Sequence, residues 1–149
     1  MLLVAACTRD PASELTEHFR FVETKEIIGI WDVYGVSSVP MLDGVENNDI
    51  LKVWMSLSGG HVLKAQIQAK NGKTGTYSTP KKVEGSYRLV DGVFSTIVDG
   101  KEVSRSALFF HDDFLVTITQ QQDKDSRFYI YYQRRHDAAA SSGADNPGR

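Results

Sequence analysis

From Ile27 onward the chain is written in short runs whose apolar residues fall at every second position, and most runs stop at a two-residue turn pair. In ILKVWMSL, Leu51, Val53, Met55 and Leu57 alternate with Lys52, Trp54 and Ser56; in HVLKAQIQA, Leu63, Ala65 and Ile67 alternate with Lys64, Gln66 and Gln68. That period belongs to a strand with one face buried. Gly59-Gly60, Asn71-Gly72 and Asp99-Gly100 carry hairpin chemistry, and further turn signals fall at Asp91-Gly92, at His111-Asp112-Asp113 and within QDKDS. The last strand, RFYIYYQRR, is rich in aromatics that suit a pleated surface.

Tight hairpins in succession place sequence neighbours side by side, so a sheet of about eight strands grows in order until it closes or is left with bare edges. The expected fold is therefore all-β, an antiparallel up-and-down meander closed into a barrel. A two-sheet sandwich is the alternative, although it ordinarily needs longer crossings than this chain offers. With 149 residues, 41% of them hydrophobic, the chain suits one domain with a full core. A net charge of -2 supplies no basic field to gather nucleic acid. No apolar run approaches the roughly 20 residues that cross a bilayer as a helix.

Ahead of the body, Asp10 precedes Pro11 as an N-cap precedes a first-turn proline, and Leu15, Phe19 and Val22 recur at helical spacing. A short N-terminal amphipathic helix, or a linker, is expected within residues 8–26, with the barrel over 27–135. Residues 136–149 have no large apolar side chain to bury and are expected to form a disordered tail.

The first strong strand, IIGIWDVYGV, holds Gly29, Ile30 and Trp31 directly after the polar stretch. This resembles the G-x-W motif that opens the first strand of lipocalins and their calycin relatives. The resemblance spans residues 27–135 and implies that Trp31 packs across the closed end of the barrel, beside Gly29. It also implies a basic side chain from near the end of the last strand lying over the indole, and Arg127 or Arg134 is placed to supply it. A guanidinium there gains cation–π attraction and covers apolar area. The body is shorter than a typical lipocalin and looks more like the compact bacterial lipocalin-like domains found in secreted or lipid-anchored proteins.

Val4, Ala5 and Ala6 before Cys7 resemble the bacterial lipobox, in which small residues fit the peptidase and the cysteine thiol receives lipid. Residues 1–7 then read as a truncated signal segment, because the six positions before Cys7 fall short of the usual charged start and apolar stretch of about 7–15 residues. The expected address is the cell envelope, with the membrane reached through lipid on Cys7. Thr8, which departs from the aspartate of the inner-membrane retention signal, points to the outer membrane. The plain alternative is an apolar N-terminus that adds a strand to an edge.

Catalytic signals are thin. His18, His61, His111 and His136 show no metal-ligand spacing, and one cysteine excludes an internal disulfide and a multi-cysteine zinc site. DKDS lacks the glycine and distal glutamate of a calcium loop, NGKTGT lacks the first glycine of a phosphate loop, and no serine sits in G-x-S-x-G. A hydrolase or isomerase at the barrel mouth is the weakest reading, and no cofactor is implied. The leading expectation is a non-catalytic barrel that binds or shields a small apolar or lipid-like ligand. Its competitor is a structural or protein-interaction module whose interior is filled by its own side chains. For a ligand, Met55, Tyr87, Arg105 and Tyr132 are the candidate contacts. Arg105 enters the interior only if it shares the inward face with Val103 and Phe109; if Leu108 and Phe110 point inward, it faces water.

Overall fold

A computed structural model describes residues 19–120 and 127–136. Its strands are β1 (Arg20–Phe21), β2 (Gly29–Ser37), β3 (Leu51–Leu57), β4 (Val62–Ala69), β5 (Lys81–Val90), β6 (Val93–Val98), β7 (Lys101–His111), β8 (Phe114–Gln120) and β9 (Arg127–Arg134). Strands β2 to β9 pair antiparallel with their sequence neighbours, and β9 returns to pair with β2, which closes an eight-stranded meander barrel.

The turn residues explain the order. Asp91-Gly92 and Asp99-Gly100 both take positive φ, the geometry of a two-residue hairpin turn whose twist matches its flanking strands. Two connections depart from the expected tight turns. Around Asn71-Gly72, the Asn71 side chain accepts hydrogen bonds from the N–H groups of Lys73 and Thr74, and the left-handed position falls on Gly75, giving a wider turn. Between β2 and β3, residues 38–50 form a long loop laid on the outside of the barrel. Asn48 ties it down by accepting from Val36 N–H and donating to Val36 O, and Gly35 leaves the space, since a Cβ there would stand 2.2 Å from Glu46 O.

The expected N-terminal helix is replaced, over its described part, by β1 and a single 3-10 turn at Thr24–Glu26; the earlier part lies outside the described residues. The physical reason is an open edge. Strand β7 outruns β6, and Arg20 and Phe21 take up the vacant side of Phe110 and Phe109. Tertiary pairing here outweighs helical spacing.

Alternation along the strands divides the apolar residues between two cores. Trp31, Leu57, Leu63, Tyr87, Phe94, Leu108, Leu115 and Tyr132 point into the barrel. Val116, Ile118, Tyr129 and Tyr131 point outward from β8 and β9 and are covered by Phe19 and by Met41, Leu42 and Val45 of the long loop. The Tyr131 hydroxyl accepts a 2.8 Å bond from Met41 N–H, which satisfies its polar end beneath that cover.

Candidate functional site

One end of the barrel is sealed. Trp31 is almost wholly buried, and its indole N–H donates to Ile27 O at 2.9 Å. The Arg134 guanidinium lies over the ring at 4.3 Å and donates to the carbonyls of Ile28 and Glu26, each at 2.7 Å. Gly29 lets it approach, because a Cβ at that position would sit 2.5 Å from an Arg134 nitrogen. Arg134 thus takes the place over Trp31, while Arg127 begins β9 at the far end of the barrel. Tyr87 adds to the seal: its hydroxyl donates to Ser58 O at 2.6 Å, its ring stacks on Phe94, and burial pushes its pKa up.

From the middle of the barrel to the opposite end runs a cavity of about 710 Å³. This lies within the roughly 300–1,000 Å³ of small-molecule sites, and it exceeds two outer-surface hollows of about 450 and 490 Å³. One wall is apolar, made by Val53 and Met55 of β3, Leu63, Ala65 and Ile67 of β4, and Val83 of β5. The facing wall carries hydroxyls: Thr96 on β6, Ser104 and Ser106 on β7, and Thr117 and Thr119 on β8. Register brings them together, since Thr96 stands opposite Ser104, and Leu108, two residues beyond Ser106, stands opposite Thr117. Tyr132 and Ile130 of β9 lie between the two walls. Burial pushes the Tyr132 phenol pKa up to about 12, against a smaller opposing effect of the neighbouring Thr117 hydroxyl, so it is neutral at physiological pH.

The mouth has a lateral component. Among the described residues, positions 101–106 of β7 pair with β6 alone, because β8 joins β7 only from Ala107 onward. Val103 lines this side and is exposed, with Lys81 on the rim.

Of the ligand contacts expected from sequence, Met55 and Tyr132 line the cavity and Tyr87 lies beneath it in the sealed end. Arg105 follows the second parity: Leu108 and Phe110 turn inward, and Arg105, at the open rim of the cavity, binds Glu102 at 3.0 Å with its side chain 66% exposed. Arg88 approaches the same carboxylate, and the Arg105 hydrogen bond leads the causes that hold the Glu102 pKa below its ordinary value. Cys7 lies outside the described residues. No group of acidic, histidine or cysteine side chains suited to a metal ion occurs among the described residues.

Sequence reasoning passed over the hydroxyl wall. Its signal was present in VFSTIV and SRSALFF, where Thr96 shares parity with Phe94, and Ser104 and Ser106 share parity with Leu108. Polar residues on the apolar parity mark a strand face that is neither solvent nor packed core. No known protein family matches the chain, and no curated protein matches it.

Proposed function

We propose that this protein is a non-catalytic, lipocalin-like container that takes a small, largely apolar molecule into the open half of its barrel and shields it from water. The observation that carries the reading is the 710 Å³ cavity, set between a sealed end and a mouth with exposed apolar rim. A structural module with a self-filled barrel has no use for that space.

Binding would be driven by burial. A ligand losing about 300 Å² of apolar surface gains roughly 7 kcal/mol at ~25 cal/mol per Å². Losses of rotational freedom and imperfect pairing offset part of that gain and leave a good ligand at about 10–100 micromolar affinity. Cys7, with its lipobox-like Val4-Ala5-Ala6, would hold the container to an envelope membrane through several acyl chains, since one chain anchors only marginally.

Titration with Nile red, a neutral dye whose emission rises in apolar surroundings, tests the container. Saturable micromolar binding is expected, together with at least a tenfold loss in Ala65→Trp, which fills the middle of the cavity from β4. A flat titration for the wild type would favour the self-filled module. Acyl labelling in a bacterial host, with signal supplied upstream, tests the anchor: Cys7→Ser should lose both label and membrane fractionation.

A further inference from the structure

The cavity walls narrow the chemistry of the ligand. Five aliphatic hydroxyls, from Thr96, Ser104, Ser106, Thr117 and Thr119, line one side. Thr96 and Thr117 are 7% and 6% exposed, so they belong to the interior rather than to the rim. Among the described residues no protein hydrogen bond engages the hydroxyls of Thr96, Ser104, Ser106 or Thr119, and the Thr117 hydroxyl stands beside the Tyr132 phenol. A hydroxyl that opens onto the cavity without a protein partner disfavours any ligand that displaces its water and cannot bond it.

Charge is distributed differently. The charged residues lining the cavity are Lys81, Glu102 and Arg105, all at its open rim, where Glu102 and Arg105 bind each other. Arg134 is committed to Trp31 and two carbonyls at the sealed end. No fixed charge therefore faces the deep part of the cavity among the described residues, and an ionised group carried there would be desolvated without an opposite charge.

Resting on the container reading, we infer that the ligand is an uncharged, two-sided molecule, with an apolar face against β3–β5 and hydroxyl or carbonyl groups along the edge that meets β6–β8. A plain hydrocarbon would cover the first wall and leave the second unbonded. An anionic lipid would keep its head outside, near Lys81, and would also leave the hydroxyls unused. A rigid, partly oxygenated ring system satisfies both walls at once.

The experiment uses two probes of one skeleton, naphthalene and 2,7-dihydroxynaphthalene, whose two hydroxyls lie on one edge. Displacement of Nile red is measured for the wild type, for Thr96→Val and for Thr117→Val, substitutions that keep side-chain shape and remove the hydroxyl. The quantity read is the affinity ratio of the diol to naphthalene. It should fall at least fivefold in each variant, chiefly through weaker diol binding, with naphthalene binding held or improved. A ratio unchanged within twofold in both variants, with naphthalene still bound, would overturn the hydroxyl-edge inference and leave the container reading standing. Nile red and both probes failing to bind the wild type would overturn both. Ser106→Ala guards against a folding defect in either valine variant and should lower the ratio in the same direction.

Discussion

Arg134 is the residue whose removal most directly tests how the barrel is sealed. Replacing it with alanine deletes a cation–π contact to Trp31, worth about 1 kcal/mol at a half-exposed site. It also deletes two short hydrogen bonds from a charged donor to the carbonyls of Ile28 and Glu26, each worth roughly 1 kcal/mol net where solvent competes. Uncovering part of the indole and losing the packed stem adds up to about 1 kcal/mol. The expected cost of Arg134→Ala is therefore about 3–4 kcal/mol, or roughly a 10 °C fall in melting temperature for a domain of this size. Arg134→Lys keeps the charge over the ring but cannot fork to two carbonyls, and should cost about half as much. Arg127→Ala, at the opposite end of β9, should stay within about 0.5 kcal/mol of the wild type. Urea unfolding followed by tryptophan fluorescence measures all three. An Arg134→Ala midpoint indistinguishable from the wild type, or an Arg127→Ala cost as large as that of Arg134→Ala, would refute this account of the seal.

Other expectations follow from the same geometry. Gly35→Ala places a methyl 2.2 Å from Glu46 O, so the loop over β8 and β9 must lift; about 2–3 kcal/mol of stability and faster proteolysis within residues 38–50 are expected, and unchanged protease resistance would contradict the tight approach. The raised pKa of Tyr132, about 12 in the folded protein, lies above the ordinary phenol value near 10, so the folded state holds its proton after the unfolded chain has lost it. The stabilisation linked to that proton is full below about pH 10 and is lost as pH climbs towards 12, at up to roughly 1.4 kcal/mol per pH unit. Tyr87 and Tyr131, also pushed up by burial, add to the slope, so urea midpoints from pH 9 to 11.5 should fall less steeply in Tyr132→Phe than in the wild type. Parallel curves would remove Tyr132 from the explanation.

Much of the architecture is legible in the sequence. Alternation in ILKVWMSL and HVLKAQIQA, with Asp-Gly pairs between later strands, demanded hairpins in sequence order, and such a chain closes a barrel because closure removes its bare edges. Gly29 and Trp31 were readable for the same reason, as a local motif at the start of the first long strand. The helix expected through Phe19 and Val22 failed where local spacing competed with an unfilled edge of β7, a feature that exists only once β6 has ended short of β7.

The site divides along the same line. Sequence could say which residues share a face of a strand, since parity is a local property of extended backbone. It could not say which face turned inward on β7, and that choice sent Arg105 to Glu102 at the open rim and brought Ser104 and Ser106 to the cavity. Nor could it choose Arg134 over Arg127, because their distances from Trp31 depend on where β9 closes against β2. Strand order and turn placement were determined by the chain itself. The depth of the cavity and the hydroxyl wall were decided by barrel closure, which alone brings β3–β5 to face β6–β8 across an interior space.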